Sequence, residues 1–239
     1  MTQPRVNKLP IKTVLFDLDG TFADTAPDLA DALNRTLTAN DRQPLPFAQI
    51  RPVVSHGGRA LIELGFGIQD TDANFERLRQ QLLAYYQADI ARHTQLFPGI
   101  SNLLQELQRN HLHWGIVTNK PGWLTNPLLA SLSLPSTPCS VVSGDTLPQR
   151  KPDPAPLLHA SAMCQCAPAQ CLYVGDAERD IVAGKRAGML TITALYGYIR
   201  EEDDPQLWQA DSTVDHPDAI YPWIRAYNAM QMQQSRYAE

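Results

Sequence analysis

Two hydrophobic patterns alternate along this chain. Short unbroken apolar runs, KTVLF at 12–16, HWGIV at 113–117, SVV at 140–142, CLYV at 171–174 and LTITAL at 190–195, predict buried strands. Between them the apolar positions recur at helical spacing. Leu103, Leu104 and Leu107 form one face just before the second run, and Ile181, Ala183 and Ala187 form another between Asp176 and Gly188. Strands alternating with helices predict βαβ units, so the fold class expected is α/β with a mostly parallel sheet.

The stretch between the first two runs is too long for one crossover. Leu29, Leu33 and Leu37 recur at i, i+4 and i+8, and Phe75, Leu78, Leu82, Tyr85 and Tyr86 mark one face of a second helix. Residues 23–91 are therefore expected to be a small helical cap domain inserted into a catalytic core made of 1–22 and 92–239. Phe97-Pro98-Gly99 reads as the return linker. The terminal QMQQSRYAE has no pattern and is expected to fray.

Composition narrows the partners. With 44% hydrophobic and 19% charged residues the chain can build a core, which excludes wholesale disorder. A formal net charge of -5 argues against non-specific nucleic-acid binding, but not against a small anionic substrate held in a locally positive site. No apolar run approaches the roughly 18 residues that span a bilayer, so no membrane partner is expected. The opening MTQPRVNKLP lacks a secretory apolar stretch, and a cytoplasmic location is expected. On that basis the four cysteines, Cys139, Cys164, Cys166 and Cys171, are expected to be reduced and mostly structural.

Four short motifs carry candidate chemistry. Asp17-Leu18-Asp19-Gly20-Thr21 follows the first strand. Residues i and i+2 of an extended segment point the same way, so Asp17 and Asp19 project together from the carboxyl end of the sheet, and Gly20 lets the chain turn away. Two adjacent carboxylates call for a cation or a shared proton, and Mg2+ suits oxygen donors. Thr118-Asn119-Lys120 follows the second strand and offers a hydroxyl and an amide to phosphate oxygens. In Lys151-Pro152-Asp153-Pro154, Asp153 is expected to cap a helix opened by Pro154, with Lys151 just ahead of it to neutralise anionic charge. In Gly175-Asp176-Ala177-Glu178-Arg179-Asp180, Asp176 sits at a strand end as a metal ligand, and Asp180, one helical turn on, supports it.

The order nucleophile, hydroxyl, lysine, acidic pair resembles the haloacid dehalogenase superfamily over nearly the whole chain. That resemblance implies a Rossmann-like core, an aspartyl-phosphate intermediate and Mg2+. Asp17 then corresponds to the nucleophile and Asp19 to the general acid/base. Gly20, Thr118, Asn119 and Lys151 correspond to phosphate-binding groups, with Lys151 also balancing charge. The metal would be held by Asp17, the Asp19 backbone carbonyl and Asp176, with Asp180 behind them. An acid at Asp19 favours a phosphatase over a dehalogenase or a transport ATPase, and a phosphomutase shares the same motifs. A non-catalytic phosphate-binding domain of this fold would need no nucleophile.

The cap is expected to choose the substrate, a small phosphorylated metabolite. Ser55-His56-Gly57-Gly58-Arg59-Ala60 is its most promising segment: Gly57 and Gly58 let backbone amides approach an anion, and Arg59 has the fork to bind a carboxylate. The cap position resembles phosphoglycolate phosphatases. WGIVTNKP at 114–121, YGYI at 196–199 and VDHP at 214–217 resemble more closely the N-acetylmuramic acid 6-phosphate phosphatases of peptidoglycan recycling. That resemblance implies the amino-sugar phosphate as substrate, with 2-phosphoglycolate as the alternative.

Overall fold

A computed structural model describes residues 9–236. The chain enters through β1 (Thr13–Phe16), whose four residues are all buried. It turns into a two-residue strand, β2 (Ala23–Asp24), and then into helices α1 (Ala26–Thr38) and α2 (Phe47–Ile50). A 3-10 turn over Arg51–His56 leads to α3 (Gly57–Phe66) and α4 (Phe75–Ala88). The return strand β3 (Gln95–Leu96) pairs antiparallel with β2, so these helices enter and leave beside one another.

The rest of the chain alternates. In order come α5 (Ile100–Arg109), β4 (His113–Val117), α6 (Gly122–Ser131), β5 (Ser140–Val142) and α7 (Ala155–Met163). β6 (Cys171–Gly175), α8 (Glu178–Arg186), β7 (Leu190–Ala194), β8 (Ser212–Val214) and α9 (Ile220–Arg236) follow. Six strands form one sheet in the order β5-β4-β1-β6-β7-β8, and every pair in it is parallel. The expected α/β parallel sheet flanked by helices is therefore what the chain builds.

Burial on both faces explains the unbroken apolar runs. Val14 and Phe16 of β1 pack into the larger core with Leu104 of α5 and Ile224 of α9, while Leu15 faces a second core with Leu157 of α7 and Ala183 of α8. In α1 the Leu29, Leu33 and Leu37 stripe is buried, and it meets Leu61 of α3 and Leu78 and Leu82 of α4.

Three expectations change. The terminal QMQQSR does not fray but continues α9, whose buried Ile224 and Tyr227 dock it on the core; the last residues, YAE, lie outside the described part. Asp153 does accept a hydrogen bond from the Ala155 N–H at 2.9 Å, but α7 starts at Ala155, one residue later than the Pro154 start expected. The cysteines are not all reduced: Cys139 and Cys164 form a disulfide, whereas Cys166 and Cys171 are free. Packing of α7 against β5 brings the two Cα atoms to 5.1 Å, within the span of a disulfide, a proximity that chain spacing does not disclose.

Candidate active site

The site lies at the carboxyl ends of the three central strands. Asp17 follows β1, Thr118 follows β4, and Asp176 follows β6, and these strands are neighbours in the sheet. Ligands in open α/β sheets bind at this edge. A cavity of about 860 Å³ opens above it, with Asp17, Asp19, Thr118 and Lys120 on the core side and His56, Gly57, Gly58 and Arg59 on the side of the inserted helices.

Lys151 holds the floor together. Its buried ammonium lies 2.8 Å from an Asp17 oxygen, 2.8 Å from an Asp180 oxygen and 2.8 Å from the Tyr173 hydroxyl, to which it donates. The Tyr173 O–H in turn donates to the Val117 carbonyl at 2.8 Å. Asn119 fixes the Lys151 main chain from both sides: its amide donates to the Lys151 carbonyl and its oxygen accepts from the Lys151 N–H, each at 3.0 Å. Asn119, expected on phosphate, thus uses its amide oxygen and one of its N–H groups to place the lysine. The Thr118 hydroxyl accepts from the Lys120 N–H at 3.1 Å, which leaves its own proton to donate into the cavity.

Negative charge is concentrated here. Carboxylate oxygens of Asp17, Asp176 and Asp180, all buried, lie within 4.8 Å of one another. Burial pushes the Asp17 carboxyl up to about 7; Lys151 and Arg179 pull it down, and Asp180 and Asp176 push it further up. Asp176 is likewise raised, first by burial and then by Asp180, with the Ser55 hydroxyl and the Tyr198 N–H opposing. Acidic hard-oxygen donors in excess of their cations fit a divalent cation such as Mg2+. The outward-facing oxygens converge as well: the Ser55 hydroxyl is 2.7 Å from Asp176 Oδ2 and 3.2 Å from the Asp19 carbonyl.

Gly20 is forced by this crowding. Its φ is +88°, and a Cβ there would fall 2.1 Å from Asp176 Oδ2. Asp19 sits to the other side. Its Oδ1 accepts from Thr25 Oγ1 at 2.6 Å and from the Lys120 ammonium at 2.8 Å. The Lys120 ammonium also lies 4.5 Å from the centre of the Tyr86 ring, which α4 supplies.

Asp17, Asp176, Asp180 and Lys151 thus come together, with Asp19, Gly20, Thr118 and Asn119 around them. Gly57, Gly58 and Arg59 line the cavity at the start of α3. The Arg59 side chain, however, is 58% exposed and its guanidinium is already bound, to Glu63 at 2.9 Å and Asp70 at 2.8 Å. His56 also lines the cavity, and burial lowers its pKa. Sequence reasoning missed Ser55 and Tyr198 on Asp176, Lys120 and Thr25 on Asp19, and Tyr173 on Lys151. Lys120, Tyr198 and Ser55 lie inside motifs already noted, TNK, YGYI and the Ser55–Ala60 segment; Thr25 carries no comparable signal.

Comparison with known proteins gives the same picture. The family of haloacid dehalogenase-like hydrolases matches residues 14–194. The chain is 43% identical over 210 residues to a phosphoglycolate phosphatase of Xanthomonas campestris pv. campestris (strain 8004), covering 88% of this chain and 95% of that protein. It is 40% identical over 207 residues to an N-acetylmuramic acid 6-phosphate phosphatase of Pseudomonas putida, covering 87% and 93%. A crystal structure of a predicted phosphoglycolate phosphatase from Haemophilus somnus superposes with a TM-score of 0.79 at 25% identity, covering 89% and 97%. With its motifs gathered at one sheet edge and matched across this length, the chain belongs to the haloacid dehalogenase-like hydrolases, as a phosphatase of that family.

Proposed function

We propose that the chain is a Mg2+-dependent phosphatase that hydrolyses a small phosphomonoester through an aspartyl-phosphate on Asp17. The observation that carries this reading is the buried Lys151 ammonium, held between Asp180 and Asp17, where Asp17 lines a cavity that Thr118 also lines. Helices α1 to α4, within residues 23–91, act as the cap over a core of 1–22 and 92–239.

A carboxylate oxygen of Asp17 attacks phosphorus and the ester oxygen leaves. Asp19 gives that oxygen a proton. Thr25 and Lys120 both engage Oδ1, which leaves Oδ2 to pass the proton. In the second half Asp19 takes a proton from water, which attacks the acyl-phosphate and frees Asp17. Thr118 and Lys151 bind the phosphoryl oxygens, and Gly20 keeps the approach clear. Mg2+, when bound by Asp17, the Asp19 carbonyl and Asp176, would offset the negative charge gathered there. Asp180 holds Lys151 in place and, through its Oδ2, accepts the Ala177 N–H at 3.1 Å.

The preferred substrate is N-acetylmuramic acid 6-phosphate, which would place the enzyme in peptidoglycan recycling. A cavity of about 860 Å³ lies high in the ~300–1,000 Å³ range of pockets for larger ligands, more room than a two-carbon phosphate needs. The Xanthomonas relative, named for phosphoglycolate, favours 2-phosphoglycolate as the second reading. Kinetics on the purified protein tests the choice: kcat/KM should be higher on the amino-sugar phosphate, and a higher value on 2-phosphoglycolate refutes it. The reaction itself is tested with p-nitrophenyl phosphate, whose hydrolysis should require Mg2+ and an intact Asp17.

A further inference from the structure

We propose that Arg150 and Trp123, both on the core side of the cavity, form the subsite that reads the leaving group, Arg150 taking a carboxylate and Trp123 the face of a sugar ring. The assignment rests on the substrate reading above and names the residues that would enforce it.

The cations lining the cavity are not equivalent. Arg59 is bound to Glu63 and Asp70, Arg79 to Glu76, and Lys120 to Asp19. Arg179 is half-buried beside the three site carboxylates and donates to the Ser55 carbonyl at 2.6 Å. Arg150 differs. Among the described residues it forms no ion pair, and its Nε donates to the Gly144 carbonyl at 2.6 Å. That bond fixes the guanidinium by its inner nitrogen and leaves the two terminal nitrogens, the fork that matches a carboxylate.

Trp123 lines the same cavity and is 44% exposed, an unusual position for so large an apolar side chain. It is the second residue of α6, three positions after Lys120. The loops that carry it and Arg150 are tied together. The Gly122 N–H donates to Asp145 Oδ1 at 2.8 Å, and the Gly144 N–H donates to the Lys120 carbonyl at 2.8 Å. Gly144 lies so close to Asn119 that a Cβ there would fall 2.1 Å from the Asn119 carbonyl oxygen. The corner is thus built in advance, on the segments that also carry Thr118 and Lys151. A phosphate held by those two groups leaves its alcohol within this corner, where an exposed indole offers a flat apolar surface to the C–H face of a pyranose. A two-carbon phosphate offers no ring for the indole to cover.

The test uses ratios of kcat/KM, which cancel any loss of folded enzyme. N-acetylmuramic acid 6-phosphate and N-acetylglucosamine 6-phosphate differ only by the 3-O-lactyl ether that carries the carboxylate. Wild type should favour the first roughly tenfold or more, as a charge-assisted contact predicts, and Arg150→Gln should bring the ratio near one. For Trp123→Ala the ratio of N-acetylglucosamine 6-phosphate to 2-phosphoglycolate should fall at least fivefold, with Trp123→Phe between the two. A wild type that does not distinguish the two amino sugars overturns the Arg150 assignment. So does an Arg150→Gln ratio within twofold of wild type, or a collapse produced by Arg59→Ala instead. A Trp123→Ala ratio within twofold of wild type overturns the role of the indole. Better turnover of 2-phosphoglycolate by wild type refutes the substrate reading separately, since each ratio is still measured.

Discussion

Replacing Lys151 by methionine removes the one ammonium shared by Asp17 and Asp180 and leaves their carboxylates buried without it. Breaking a buried pair by deleting one partner costs about 3–5 kcal/mol, because the remaining charge is uncompensated. The variant has an escape, since Asp17 can take up a proton. Its carboxyl is already raised to about 7 in the folded protein, and loss of Lys151, which lowers it, moves it higher. A carboxyl raised on folding contributes stability that is fully present below its unfolded pKa, about 3.9, and lost as pH rises through the folded value. Lys151→Met should therefore lose about 3–5 kcal/mol near pH 8, and about 1.4 kcal/mol less near pH 5, because only above about 7 does the wild-type carboxyl ionise while the variant's stays protonated. At about 2–4 °C per kcal/mol for a chain of this size, the melting temperature should fall by roughly 6–20 °C at pH 8. Urea unfolding of both proteins in EDTA, at the two pH values, measures this directly. A loss below about 1 kcal/mol at pH 8, or an equal loss at both, refutes the argument that the lysine compensates buried charge. Turnover should drop by roughly 10²–10³, the usual effect of removing a group that stabilises transferring charge.

Asp17→Asn should abolish hydrolysis of p-nitrophenyl phosphate while leaving circular dichroism unchanged, because an amide of the same shape cannot attack phosphorus. Asp19→Ala should slow an alkyl phosphate far more than an aryl phosphate, whose leaving anion needs less protonation; equal losses on both would remove Asp19 as the proton donor. EDTA should stop turnover and Mg2+ restore it, whereas Ca2+, which takes longer bonds and more ligands, should not. The rise in melting temperature on adding Mg2+ should grow as pH increases from about 4 to about 7. Protons on the raised Asp17 carboxyl compete with the metal at the low end, and a pH-independent shift would contradict that.

Local rules made the core of the site legible. An apolar run followed by an acid shows both a buried strand and what stands at its end, and this holds for Asp17 after β1 and Asp176 after β6. Lys151 was legible for a different reason: Pro152, Asp153 and Pro154 mark a helix approach, and α7 does begin just beyond them. The strand β8 was not legible. Three residues, only one of them buried, give no periodicity to read, and the strand exists because β7 offers it an edge. The helix over 231–236 was missed because its polar residues extend a helix that is anchored upstream by Ile224 and Tyr227.

What joins the inserted helices to the core was the least legible, because its contacts span large sequence separations. Asp176 Oδ2 accepts from Ser55 Oγ, 121 residues away, and from the Tyr198 N–H, 22 residues away. The Tyr198 hydroxyl then donates to Asp24 Oδ1 at 2.6 Å and accepts from the Ala26 N–H at 2.9 Å, where the chain leaves β2 for α1. Arg51 closes the same circuit, donating to the Tyr196 and Gly197 carbonyls with its guanidinium 4.9 Å from the centre of the Tyr198 ring. Ser55 and Tyr198 stand in segments that drew notice for other residues, and no local pattern shows that either side chain reaches Asp176. Together they connect one buried carboxylate of the site to the first helix of the inserted segment and to the turn that precedes α3. A displacement of the segment carrying Ser55 must then break a hydrogen bond to Asp176 itself. No residue of the YGYI segment, whose resemblance pointed to a sugar phosphate, lines the outer cavity that Arg150 and Trp123 line; its hydrogen bonds run to Asp176, Thr21, Asp24, Ala26 and Arg51. Its hydrogen bonds therefore couple the charged floor of the site to the inserted helices, and the proposed reading of the leaving group rests on side chains elsewhere, in the outer cavity.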